Sequence, residues 1–127
     1  MHYDRCVVLN KTRGVEISSK AEVARSLRKR TKGLIGRTLQ DFARGCALWI
    51  VPCDGIHTIG MRFPIDVAYL DSKEHVVRVY HRLAPFRIAA LSFRTKSVIE
   101  LPPGTLAETN TDVGDVFEFR PISHESL

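Results

Sequence analysis

The residues best equipped for chemistry sit close together in Ile56-His57-Thr58-Ile59-Gly60-Met61-Arg62-Phe63-Pro64-Ile65-Asp66. This stretch sets His, Thr, Arg and Asp into an otherwise apolar run, and polar groups among core-forming residues need partners or a function. His57 comes first, because imidazole exchanges protons near neutral pH. A histidine in an apolar segment also serves as a core residue with its ring nitrogens bonded to the backbone. No Ser/Cys–His–Asp order typical of a hydrolase accompanies it, so no residue is assigned as catalytic. Cys53 and His57, four apart, could supply two metal ligands, joined by His75 and His81 only if folding brings them near. A structural zinc site takes four ligands, and no CxxC or HExxH pair completes the set. The sequence therefore predicts no metal site and no cofactor.

Carboxylates and arginines form the second group. Arg62 and Asp66 are four apart around Phe63-Pro64, and Pro64 excludes a continuing helix. At a loop-to-strand junction Asp66 would cap backbone N–H groups or pair with an arginine. Glu100, between Ile99 and Leu101, raises the same question, since a buried carboxylate needs a cation or several N–H donors. Arg37 and Arg62 are the natural donors, because a guanidinium can hold a carboxylate with two hydrogen bonds. The candidate binding cluster is Arg37, His57, Thr58, Arg62, Asp66 and Glu100. It reads either as an internal ion-pair network that ties loops to a sheet or as a polar pocket in which an arginine binds an anionic ligand. Trp49, Met61, Phe63 and Phe86 would pack the core or line such a pocket.

These residues need a scaffold, and the pattern around them is mostly β. Cys6-Val7-Val8-Leu9 and Val15-Glu16-Ile17 read as two strands joined by a turn that ends in Gly14. Ser19 with Glu22 three residues later forms a capping box, which predicts a helix from Ser19 that carries Val23, Ala24 and Leu27 on one face and ends at Gly33. Cys46 to Val51 is a continuous apolar run stopped by Pro52, as in a strand buried on both faces. Ile65–Leu70 and His75–Leu83 predict a hairpin, with Val77, Val79 and His81 alternating with Arg78, Tyr80 and Arg82. Val98–Leu101 predicts a strand before Pro102-Pro103-Gly104. A helical turn over Thr105 to Asn110, capped by Thr105, and a last strand Val116–Phe119 complete the chain. Pro85 to Arg94 has no clear period and predicts a long surface loop, either a functional lid or a partner surface. The fold class is α+β and predominantly β. It is a compact antiparallel or mixed sheet, or a barrel-like structure, with one helix in the N-terminal half, forming one domain over residues 1–127.

Composition fits this scaffold. At 127 residues the chain suits one domain that buries roughly two-thirds of its unfolded surface. No apolar run approaches the ~18 residues needed to span a bilayer, and the start, Met1-His2-Tyr3-Asp4-Arg5-Cys6, lacks the pattern of a signal peptide. The expectation is a cytoplasmic protein with no membrane span and with Cys6, Cys46 and Cys53 as reduced thiols. Residues 25–44 hold Arg25, Arg28, Lys29, Arg30, Lys32, Arg37 and Arg44 against Asp41 alone, whereas residues 100–127 are acidic apart from Arg120. The basic block reads as a footprint for nucleic acid or an anionic membrane, or as a solvated face complemented by the acidic C-terminal segment. No aromatic residue lies between Arg25 and Lys32 to stack on a base.

Four segments occur in order: Gly33-Leu34-Ile35-Gly36-Arg37; the run from Ile56 to Asp66; Ile99-Glu100-Leu101-Pro102-Pro103-Gly104; and Gly114-Asp115. In these the chain resembles the small bacterial and archaeal family called domain of unknown function 192, from about Ser19 to Phe119. The resemblance implies a compact β-rich fold and supplies no activity, substrate or cofactor. Many relatives begin with a signal peptide or lipid anchor, from which this chain departs. Ile59-Gly60 stands where relatives often carry bulky aromatics, which implies a roomier pocket here.

Three functional readings follow. One is a non-catalytic module that binds a small ligand or a protein through a polar site around residues 56–66. Another is a small hydrolase or transferase using His57 with Asp66 or Glu100 as acid–base partner and Arg37 or Arg62 as anion clamp. The last is nucleic-acid binding through the basic helix. Ligand, partner and oligomeric state stay open.

Overall fold

Seven strands and two short helices make up the computed structural model, which describes residues 3–122. In chain order they are β1 (Arg5–Asn10), β2 (Val15–Ala24), α1 (Leu27–Lys32), β3 (Cys46–Ile50), β4 (Ile65–Leu70), β5 (Val76–Leu83), β6 (Ser97–Leu101), α2 (Thr105–Glu108) and β7 (Phe117–Pro121). The strands form one sheet in the order β5-β4-β6-β3-β2-β1-β7. β2 and β3 pair in parallel, so their connection crosses over and carries α1, as parallel neighbours require. The other pairings are antiparallel. The sheet curls until its outer strands meet just before β5 and β7: Val76 donates to the Asp115 carbonyl at 2.8 Å, and Phe117 to that of Glu74 at 2.9 Å. The result is a half-barrel, a mixed and mainly β single domain.

Alternation along the strands sorts side chains onto two sides. Val8, Ile17, Val23, Ala47, Trp49, Ala68, Leu70, Val76, Ile99, Leu101 and Phe117, drawn from all seven strands, pack into one core inside the curl, joined by Leu106 of α2. Leu48, Ile50, Val67, Tyr69 and Val98 face the other way and are covered by Leu34, Phe42, Met61, Phe63 and Ala89 from the connecting segments. β3, β4 and β6 are therefore buried on both faces, which is why Cys46 to Ile50 reads as an unbroken apolar run.

Two local expectations about helix caps fail. The capping box at Ser19 and Glu22 does not open a helix, because Ser19–Ala24 continues β2. Its residues are laddered to β1 on one side, with Cys6 opposite Ala21, and to β3 on the other, with Val23 opposite Trp49. Two ladders and the burial of Ala21 and Val23 outweigh a cap that contributes about 1 kcal/mol. The helix starts later: Ser26 Oγ accepts the Lys29 N–H at 3.1 Å, and Gly33 closes it at φ 51°. α1 buries no residue, and Leu27 is exposed rather than packed. Thr105 likewise is not the cap of α2. Gly104 holds that position, and the Thr105 hydroxyl donates to the Pro102 carbonyl at 2.8 Å.

Candidate functional site

Strand register decides the surroundings of Glu100. It lies on β6 opposite Leu48 of β3 and Val67 of β4, the middle of the sheet, with its carboxylate on the face covered by the connecting segments. Only 3% of the residue is exposed, and its Oε1 has no hydrogen-bond partner. Burial pushes this carboxyl up to about 8, with the nearby Arg37 guanidinium pulling weakly the other way. A cavity of about 320 Å³ opens over it, walled by the end of α1 with Gly33, Leu34 and Ile35, by Ile50 and Pro52–Gly55 after β3, and by Ile56, His57 and Met61. Gly33 is set by its backbone rather than by space at the cavity. A Cβ there would make only an ordinary contact, 3.9 Å from Glu100 Oε1, but the φ of 51° is a conformation that residues with a side chain rarely adopt.

Other polar residues edge the cavity: Thr31, Lys32, Asp54, Cys53, His57 and Arg30. Cys53 is half-buried, its thiol donates to the Gly55 carbonyl at 3.1 Å, and burial raises its pKa. It stays a thiol at neutral pH and is a poor nucleophile. His57 is exposed at the mouth, and its Nδ1 accepts the Ile59 N–H at 3.2 Å. In the neutral ring this leaves Nε2 as the donor toward solvent. Arg30 donates to the Pro52 carbonyl at 3.2 Å, pinning α1 against the loop after β3.

Of the six candidate residues, then, the fold brings His57 and Glu100 onto one cavity. Arg37 lies close enough to influence Glu100, but its guanidinium is held by Glu22 in a two-point ion pair of 2.6 and 3.0 Å. That pair lowers the Glu22 pKa and raises that of Arg37. Asp66 is fully buried elsewhere, its Oδ1 accepting the Arg82 N–H at 2.9 Å and its Oδ2 the Leu106 N–H at 2.8 Å. It anchors α2 to β4 and β5, with both oxygens used. Thr58 is buried as well. Its hydroxyl donates to the Ala84 carbonyl at 2.7 Å and accepts the Arg87 N–H at 2.9 Å, staking the loop after β5. Arg62 is exposed and forms no ion pair among the described residues. His57 has no carboxylate partner there either, and those residues contain no group of three or more His, Cys, Asp or Glu able to hold a metal.

The basic block is also partly spent inside the molecule. Arg25 lies over the rings of Tyr3 and Trp49, and Arg44 pairs with Glu108 at 2.7 Å. The sequence does not mark Arg30, Leu34, Ile35 and Ile50 as cavity walls. Leu34 and Ile35 belong to the Gly33–Arg37 segment that carries the family resemblance, but their role as walls arises only when α1 folds over the ends of β3 and β6.

Comparison with known proteins agrees with this architecture and leaves the chemistry open. A UPF0127 protein from Pyrococcus abyssi is 34% identical over 119 residues, covering 89% of this chain and 97% of that one. Another from Pyrococcus furiosus is 30% identical over 117 residues, covering 88% and 97%. Among solved structures, a protein of unknown function from Novosphingobium aromaticivorans superposes with a TM-score of 0.75 at 19% identity, covering 90% of this chain and 83% of that one. One from Sinorhizobium meliloti, which carries a provisional transcription-regulator label, reaches 0.76 at 20% identity and covers 94% and 96%. At these identities the structural likeness speaks to the fold alone. The family model described as Uncharacterized ACR matches residues 8–119, and the chain belongs to this family, domain of unknown function 192.

Proposed function

We propose that this protein is a non-catalytic module that binds a small polar molecule in the cavity over Glu100. The observation that carries the reading is the state of that side chain: a fully buried carboxyl group with an unpartnered oxygen, facing a space large enough for a small ligand. An unsatisfied buried polar atom costs about 1–3 kcal/mol, and a ligand that completes its hydrogen bonding recovers that cost. Near neutral pH Glu100 is mostly protonated, so it offers both an O–H donor and a carbonyl acceptor. That pattern matches the edge of an amide or a carboxylic acid, or a single donor such as an amine. His57 Nε2 at the mouth supplies a second point of contact, and Ile35, Ile50 and Met61 supply apolar walls.

The hydrolase reading gains less support. It needs a histidine oriented by a carboxylate, yet Asp66 gives both oxygens to backbone N–H groups, and Glu100, though on the same cavity, makes no hydrogen bond to His57. Three free cysteines, Cys6, Cys46 and Cys53, favour work in a reducing compartment such as the cytoplasm.

The test is a thermal-shift screen of small amides, amines and carboxylic acids, run beside native mass spectrometry of the freshly purified protein. Ligands should raise the melting temperature of the wild type, do so weakly in His57→Ala, and not at all in Glu100→Leu. Equal native and denatured masses, with no melting shift from any of the three classes, would refute the proposal.

A further inference from the structure

The loop between β5 and β6 exposes four large apolar side chains within eight residues, the densest such group among the described residues. Phe86 is 66% exposed, Ile88 80%, Leu91 79% and Phe93 90%. Such clusters are uncommon on soluble domains unless they meet something. This exposure is built in, because the loop is strapped down along its length. Phe86 N–H donates to the Thr58 carbonyl at 3.0 Å, Ala89 N–H to that of Ile56 at 2.9 Å, and Ser92 N–H to that of Asp54 at 2.9 Å. The Tyr69 hydroxyl donates to the Ala90 carbonyl at 2.7 Å, while the Tyr80 hydroxyl accepts the Ala90 N–H at 3.0 Å. Phe86 itself is held at φ 63°, a region that bulky residues rarely occupy and that persists only where surrounding structure imposes it. The fold thus spends many hydrogen bonds on presenting these side chains to the outside.

Charge decides what they meet. Arg87, Arg94 and Lys96 are interleaved with the apolar residues, and residues 84–98 contain no acid. The flanking strip 52–63 sets exposed Arg62 against one acid, Asp54, and so leaves the positive balance of the loop intact. We infer that this loop docks the protein onto an anionic lipid surface, with Phe86, Ile88, Leu91 and Phe93 entering the interface and the cations meeting lipid phosphates and carboxylates. Projecting apolar side chains ringed by Arg and Lys are what such a surface accepts. A second copy of the chain would bring like charges face to face. Nucleic acid would gain from Phe86 and Phe93 by stacking but would leave Ile88 and Leu91 in water. No helix among the described residues is long and apolar enough to cross a membrane.

The experiment is co-sedimentation of the full chain with vesicles of phosphatidylcholine alone and of phosphatidylcholine with phosphatidylserine, at low and high salt. The expected result is binding to the mixed vesicles that weakens with salt, and little binding to phosphatidylcholine alone. The pair Arg87→Ala and Arg94→Ala should lower the partition coefficient about thirtyfold. The pair Leu91→Ser and Phe93→Ser should lower it at least about a hundredfold. All four positions are exposed, so both double variants should keep the circular dichroism of the wild type, and the basic pair reads the proposal independently of the apolar one. Absent binding, binding indifferent to phosphatidylserine, or binding untouched by both pairs would overturn the inference. So would loop-dependent capture of a single-stranded oligonucleotide, or self-association abolished by Phe93→Ser, in protein that ignores the vesicles.

Discussion

Replacing Glu100 by Gln should make the protein progressively more stable than the wild type as pH rises. In the folded chain the Glu100 carboxyl titrates at about 8, against an ordinary value of 4.5, because its burial lacks a compensating partner. Between those two values the folded state holds a proton that the unfolded state has released, so unfolding is favoured as pH increases. The slope is about 1.4 kcal/mol per pH unit. Over the whole window the penalty reaches roughly 5 kcal/mol, a large share of the 5–15 kcal/mol stability of an ordinary domain. Gln cannot ionise, so its curve lacks this term. Other groups, including Glu74, which burial raises to about 7, titrate in both proteins and cancel from the difference. Urea unfolding of both proteins at several pH values from 4 to 9 provides the readout. The difference in unfolding free energy should be flat below about pH 4.5, climb through neutrality and level off above about pH 8. A constant offset reports only the swap of a carboxyl for an amide, so the diagnostic quantity is the slope. Parallel curves would mean that Glu100 is ionised and paired in the fold. The reasoning that makes the cavity a binding site would then fail with it.

Asp66→Ala should cost about 2–4 kcal/mol in chemical denaturation, because the buried N–H groups of Arg82 and Leu106 lose their acceptors. A loss well under 1 kcal/mol would show that water replaces the carboxylate. Gly55→Ala should destabilise by about 1–3 kcal/mol and loosen the loop after β5, since the added Cβ would stand 2.7 Å from the Leu91 side chain and 3.1 Å from the Ala90 carbonyl. Neutral stability with unchanged proteolysis of residues 86–94 would contradict that. Arg37→Ala should cost no more than about 1 kcal/mol near pH 7, because the ion pair with Glu22 is partly exposed. The Glu22 pKa is lowered in the fold, so the pair's contribution is complete above the ordinary carboxylate value and disappears as pH falls through the folded one. Urea midpoints at pH 7 and pH 3 that shift equally would refute that assignment. Alkylation of Cys53 by iodoacetamide should be slower than that of a free thiol and slower still with the cavity filled. Equal rates with and without a bound ligand would place the ligand elsewhere.

Much of the scaffold is legible in the chain itself. Strands buried on both faces announce themselves by unbroken apolar runs, as at Cys46–Ile50, whereas the alternation read over His75–Leu83 does not hold, because irregular pairing with β4 sends Val77 and Val79 to opposite cores. Gly33 and Gly14 mark their turns by chemistry that only local backbone geometry demands. The sequence also exposes the groups that a core must account for, Asp66, Thr58 and Glu100, because a polar residue inside an apolar run is visible without any structure. What becomes of them is not. Asp66 and Thr58 find backbone partners dozens of residues away, whereas Glu100 is left unpartnered. The difference lies in the register of β6 between β3 and β4 and in Arg37 turning to Glu22 instead. The same nonlocal pairing turns the capping box at Ser19 into strand. Local propensity is worth about 1 kcal/mol, while a residue laddered on both sides and buried gains several times that. Short-range physics therefore determined which residues were able to form strands and turns, and tertiary pairing decided which polar side chain was left facing a cavity.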